Sequence, residues 1–171
     1  MKTKPVLFSL IILLLSATLH SQSLDENYAE DVKTISKIID AYYAVISGAS
    51  DAPWQFERDR YLHTDTAIIT RLDDNGNADI HTLEAEYIPL LLLPKVDFYE
   101  KEIKRNVSQF GHMAQVWSAY EVRTDPEIAS KVRGLNSIQL HFENGRWFID
   151  SWTTQMETET NAIVTRFLKA D

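Results

Sequence analysis

The chain reads as an α+β domain, helices first and a meandering antiparallel sheet second. Three observations predict this. In the first half, apolar residues recur at three- and four-residue steps, the period of a helix. From residue 98 onward the pattern changes to alternation, the period of a strand. The segment "FENGRW", residues 142–147, sets Asn144–Gly145 between two alternating runs. Asn-Gly accepts the positive φ angles of a two-residue hairpin turn.

Residues 1–21 stand apart. Lys2 and Lys4 precede the apolar run "PVLFSLIILLLSA", and the small, polar stretch "TLHSQS" follows. This is the layout of a secretory signal peptide, cleaved near Ser21–Gln22, which predicts an exported protein, periplasmic or secreted, with no stable membrane insertion after cleavage. The remainder, residues 22–171, reads as one domain.

The first helix is expected over "SLDENYAEDVKTISKIIDAYYAVISG", from a capping box at Ser23 and Glu26 to Gly48. Tyr28, Val32, Ile35, Ile38, Ile39, Tyr42, Tyr43 and Ile46 form its apolar stripe. "DAPWQFERDRYL" predicts a short second helix, capped by Asp51 with Pro53 in its first turn. "DTAIITRL" is a strand and "DDNGNAD" a turn. "HTLEAEYIPLLLLPK" predicts a third helix, capped by Thr82, kinked or split at Pro89 and stopped at Pro94, with the Leu90–Leu93 run in the core. Residues 98–110 and 112–123 alternate around Gly111, and the Asn-Gly hairpin follows. The last residues form a polar tail with room for one short helix.

Composition narrows the function. Of 171 residues, 17 are basic and 25 acidic, and removing residues 1–21 takes away two lysines and no acid. The remaining 15 basic and 25 acidic residues give a net charge near −10, which repels nucleic acids and anionic membrane surfaces. The absence of Cys removes disulfides, thiolate chemistry and Cys-based zinc sites. No H-x-x-x-H, H-E-x-x-H, Gly-rich phosphate loop or G-x-S-x-G segment occurs, so neither metal nor cofactor is expected.

Strict alternation sorts the strand residues into faces. Tyr99, Lys101, Ile103, Arg105, Val107 and Gln109 form one face, matched by Ala114, Val116, Ser118, Tyr120 and Val122. In the last hairpin, Ile138, Leu140, Phe142, Trp147 and Ile149 point inward, with Asn136, Ser151 and Thr153 at one end. Arg105 is then an inner guanidinium, and a buried guanidinium needs a counter-charge or a ligand; Asp40 and Glu86 are the candidate partners. The opposite face holds Trp117, His141, Phe148, Asp150 and Trp152, which predicts a homodimer through the outer sheet face unless the tail covers it.

Three stretches carry a resemblance: "IIDAYYAVISG", "FYEKEIKRNVSQFGHMAQVWSAYEVR" and "RGLNSIQLHFENGRWFIDSWTTQ". They resemble the nuclear transport factor 2-like superfamily, which includes ketosteroid isomerases and polyketide-cyclase-like proteins, and within it an exported bacterial branch. The resemblance spans about residues 24–157. It implies helices packed on a strongly curved antiparallel sheet that forms a cone, with a ligand held inside. Tyr42, Tyr43 and Trp54 would close one side, and Arg105, Ser118, Tyr120, Asn136, Ser151 and Thr153 the other. Ketosteroid isomerases use an Asp base with a Tyr and a protonated Asp as donors. Here the inner face offers no carboxylate by this parity, and His63 and Asp65 are the acid/base candidates. Three readings remain open: a binder of a small organic, anionic or carbonyl-bearing molecule; an isomerase or dehydratase; and a dimeric interaction module with a packed cone.

Overall fold

The computed structural model describes residues 27–130 and 132–169. The signal-peptide expectation and the Ser23/Glu26 capping box lie outside the described residues. Residues 31–169 hold all the elements considered below.

Helix α1 spans Ile35–Ile46 and buries Ile38, Ile39, Ala41, Tyr42, Tyr43 and Val45. It starts later than the apolar stripe suggested. The Val32 carbonyl accepts from the Trp147 amide at 2.9 Å, so it is committed to the hairpin rather than to a helical turn. Thr34 becomes the cap, its hydroxyl accepting from the Lys37 amide at 3.2 Å. Helix α2, Phe56–Leu62, also starts late: Gln55, not Asp51, sits at its N-terminus. Strand β1 is His63–Leu72 and strand β2 is Ala78–Thr82, the latter unforeseen. Helix α3, Leu83–Leu92, is capped by Thr82 as expected and runs through Pro89. Leu90 packs against the core, but Leu92 and Leu93 are exposed rather than buried. Strands β3 (Tyr99–Phe110), β4 (Met113–Arg123), β5 (Val132–Glu143) and β6 (Arg146–Met156) follow, and a single 3-10 turn occupies Thr165–Phe167.

The sheet order is β2-β1-β6-β5-β4-β3, antiparallel throughout except where β1 runs parallel to β6. Asn144 and Gly145 both have positive φ, 50° and 83°, as the hairpin turn requires.

Two bulges overturn the strict alternation. Glu102 pairs with Tyr120 and Lys104 with Ala119, so Ile103 is an extra residue in β3. Gln139 pairs with Ser151 and Leu140 with Ile149, so Asp150 is an extra residue in β6. A bulge resets the side-chain period and bends the strand. In β3, Arg105 and Val107 stay inward, but Glu100 and Glu102 replace Tyr99 and Lys101. In β6, Trp147 and Ile149 stay inward, but Trp152, Thr154 and Met156 replace Ser151 and Thr153.

The outer face changes accordingly. Trp152 is buried on the inner side, and Trp117 lies under the tail, its ring centroid 5.2 Å from that of Phe167. Lys104 Nζ and Asn106 Nδ2 both donate to the Arg166 carbonyl, at 3.2 and 3.1 Å. The two tryptophans that suggested a dimer face are therefore not exposed there.

Packing is uneven along the strands. Val116, Ile138, Leu140, Trp147 and Ile149 meet Ile38 and Ile39 at one end, all buried. At the other end the sheet curls away and leaves an open volume. Tyr120 crosses that end over Gly134, its cross-strand partner. A Cβ at Gly134 would sit 2.3 Å from the Tyr120 hydroxyl and 2.4 Å from its ring. Gly134→Ala is expected to destabilise the protein by about 1–3 kcal/mol. Combined with Tyr120→Leu it should cost clearly less than the two single changes summed, as urea unfolding of all four proteins would show.

Candidate functional site

The open end forms a cavity of about 750 Å³. Its walls come from the C-terminal half of α1 (Tyr42, Val45, Ile46), from Trp54 and Phe56, from the segment Leu93–Val96, and from the strand ends carrying Ile69, Val122 and Trp152. Most of the lining is apolar or aromatic, which suits a small organic ligand. Arg71, Glu86, Glu100, Tyr120, Asn136 and Thr154 supply polar groups, and Asp59 another at the α2 wall.

Glu100 is the group the bulge brings in. Its backbone is fixed by Ser47, whose hydroxyl accepts from the Glu100 amide and donates to its carbonyl, both at 3.0 Å. The side chain faces the cavity. Burial pushes its carboxyl up to about 7, while the Asn136 amide and the Arg71 charge pull the other way. Tyr120 donates or accepts at Thr154 Oγ1, 2.8 Å away, and burial raises its phenol to about 12. Arg71 is held by Glu86: Nη2 donates to Oε2 at 2.7 Å, and Nη1 pairs with Oε1. Its Nη1 also lies 3.0 Å from His81 Nε2.

Behind this wall runs a hydrogen-bonded chain whose direction is determined. Glu102 can only accept, so Ser118 Oγ donates to it. Tyr43 OH must then donate to Ser118 Oγ at 2.7 Å, and Asn136 Nδ2 donates to Tyr43 OH at 3.3 Å. Burial keeps the Tyr43 phenol far above its ordinary pKa, while its hydrogen bonds to Ser118 and Asn136 pull the other way. At the far end Glu102 accepts from Arg105 Nε at 2.7 Å.

Of the residues proposed from sequence, Tyr42, Trp54, Tyr120 and Asn136 line the cavity. Tyr43 and Ser118 stand one layer behind it, in the chain just described. Arg105 lies outside: it binds Asp40, Glu102 and the Ser36 carbonyl (2.8 Å), so its charge is neutralised away from any ligand. Asp40, one of the two partners considered from sequence, serves it. Ser151 and Thr153 are on the opposite face because of the Asp150 bulge. Thr153 lines a shallow groove of about 280 Å³ beneath the tail.

The acid/base candidates also separate. Asp65 is exposed, in the irregular stretch where β1 slips past β6 between His63 and Ile68. His63 is buried behind Trp152 and Tyr42, with ring centroids 5.1 and 6.4 Å away. Its Nδ1 donates to the Asp59 carbonyl at 2.7 Å and lies 3.3 Å from Asp59 Oδ1, while Nε2 has no hydrogen-bond partner among the described residues. Burial lowers its pKa, so it is a neutral ring supporting the wall. Sequence reasoning missed Arg71, Glu100 and Thr154, and Glu86, considered as a partner of Arg105, instead holds Arg71. The available signal was Lys101, an ammonium that strict alternation set among apolar inner residues.

Among the described residues no group of His, Asp and Glu is placed to hold a metal ion, and no helix is long and apolar enough to cross a membrane.

No family model matches the chain, and no curated protein matches it. Solved structures do. An NTF2-like (nuclear transport factor 2-like) protein of unknown function from Pseudomonas putida aligns with a TM-score of 0.57 at 9% identity, covering 76% of this chain and 90% of its own. A protein of unknown function with a cystatin-like fold from Nostoc punctiforme also gives 0.57, at 10% identity, over 73% of this chain and 90% of its own. The association domain of C. elegans CaMKII gives 0.51 at 18% identity, over 72% and 92%. The chain has the nuclear transport factor 2-like, cystatin-like α+β fold.

The position of Glu100 has a measurable cost. Unfolded, its carboxyl titrates near 4.5; folded, at about 7. Between these values the native state holds a proton the unfolded chain has lost, so stability falls as pH rises through this window. Glu100→Gln removes that loss. The variant should be more stable than the wild type by roughly 1–3 kcal/mol at pH 8, with the difference closing at pH 5, in paired urea titrations.

Proposed function

We propose that this chain, with its nuclear transport factor 2-like fold, binds a small and mostly apolar organic molecule in the open end of its cone. The cavity carries this reading: about 750 Å³, walled by aromatic and aliphatic side chains, with a few polar groups converging from β1, β3, β4 and β5. The packed-cone alternative has half of its support, since Arg105 is neutralised internally but the cone is not filled. The leader-like residues 1–21 support an exported protein, so the ligand would be met outside the cytoplasm.

A second reading, an acid/base enzyme, is favoured by one observation. Glu100 titrates near neutral pH within reach of a bound molecule, as a general acid or base requires. In that reading Glu100 takes the role proposed for His63 and Asp65, and Tyr120 and Asn136 orient the substrate.

Binding of N-phenyl-1-naphthylamine, a neutral probe whose emission rises in apolar surroundings, tests the cavity directly. The wild type should bind it saturably at one site. Val122→Trp, which fills the cavity, should weaken binding at least tenfold. Ser151→Val and Thr153→Val, on the other face, should leave it within twofold. Equal binding by all four proteins would remove the cavity reading.

A further inference from the structure

The charges on the cavity wall are unequally matched. Among the described residues, five ionisable groups other than the tyrosines line it: Arg71 and Lys95, and Asp59, Glu86 and Glu100. Both cations are already engaged. Arg71 is forked onto Glu86. Lys95 Nζ donates to the Ala52 carbonyl at 2.7 Å and stands 4.8 Å above the Trp54 ring. Asp59 faces His63. Among the described residues no cation pairs with the Glu100 carboxylate, whose neighbours are Asn136 on β5, Tyr42 and Tyr43 on α1, Tyr120 on β4 and Arg71 on β1. An anionic ligand would therefore meet an acidic wall with no cation to spare, on a chain whose overall charge is −8.

Resting on the binding reading above, we infer that the cavity takes an apolar molecule carrying a basic nitrogen, whose ammonium pairs with Glu100 amid the rings of Tyr42, Tyr120 and Trp152. The chemistry is complementary at each point. The ammonium supplies the counter-charge that Glu100 lacks. Aromatic faces attract cations, and more strongly where water is excluded. The aliphatic wall takes the hydrocarbon body. Binding is then coupled to ionisation. Below about pH 7 Glu100 holds a proton, which the arriving ammonium displaces into solvent. The other groups facing it do not exchange protons in that range: Tyr42, Tyr43 and Tyr120 titrate far higher, and Arg71 stays charged.

Three probes sharing one hydrocarbon body test this by titration calorimetry: 1-adamantanamine, 1-acetyladamantane and adamantane-1-carboxylate. At pH 8 the amine should bind the wild type at least tenfold more tightly than the ketone, with the carboxylate weakest. In Glu100→Gln the amine's advantage over the ketone should shrink below twofold. In the wild type alone, amine affinity should rise about tenfold from pH 6 to pH 8, with proton release at pH 6 measured in buffers of different ionisation heat. A ketone or carboxylate that binds as tightly as the amine overturns the inference and leaves the cavity reading intact. So does failure of all three probes while N-phenyl-1-naphthylamine still binds. Failure of that probe as well overturns both.

Discussion

Side chains along a strand alternate, so one extra residue turns over everything beyond it relative to a regular strand. This sheet contains two such residues that matter, Ile103 in β3 and Asp150 in β6. Together they decide which groups look into the cone. Were the same residues of β3 paired regularly, with Ile103 in register, Tyr99 and Lys101 would share the inner face with Arg105; bulged, the strand puts Glu100 and Glu102 there. Were β6 regular through Asp150, Ser151 and Thr153 would continue the line of Ile149; bulged, it puts Trp152 and Thr154 there. The character of the cavity, aromatic and acidic, follows from these two positions more than from any single contact.

The same bulges divide the labour between the two inward acids. Glu102 lies nearer the packed end, where Arg105, Asp40 and Ser118 surround it, and its charge is balanced by an ion pair half-hidden from solvent. Glu100, two residues earlier on the same face, opens onto the cavity, where the Asn136 amide and the charge of Arg71 favour its ionised form against burial. Two carboxylates of one strand thus serve opposite ends, one closing the structure and one opening onto the cavity. The hydrogen-bonded chain through Ser118, Tyr43 and Asn136 links them and fixes the orientation of every donor along it.

Much of this was legible in the residues. Apolar periodicity located the helices and the four long strands, and Asn144–Gly145 located the hairpin. The helix starts were harder. Val32 fits the helical stripe, but its carbonyl serves Trp147, a partner 115 positions away that no local pattern announces. Strand β2 is short and exposed, so it carries no alternation to find. The site was half legible. Tyr120 and Asn136 lie on strands without an extra residue, and their faces follow from parity; Tyr42 lies on the apolar stripe of α1, and Trp54, just before α2, was placed by the resemblance alone. Arg105 was correctly placed inward, but its partners fill its capacity. Glu100, Thr154 and Trp152 lie on the far side of a bulge, and local propensity leaves a bulge almost no trace. What it does leave is a contradiction: Lys101 inside, Trp152 outside. Read as an inconsistency to be resolved, either residue points to the inserted position.

The bulges also bear on how such a site can change over time. Removing Ile103 would restore regular pairing while keeping Glu100 and Glu102 on the same side as Arg105, because the residues flanking the bulge already face as an uninterrupted strand would set them. The same holds for Asp150, with Ile149 and Trp152 both inward. A single-codon deletion at either place would straighten the strand and alter the aperture of the cone without exchanging its lining. Substitutions at Glu100 or Trp152 would do the reverse. Aperture and lining are therefore separately heritable, and two descendants of one such chain could admit molecules of different girth through walls of identical composition.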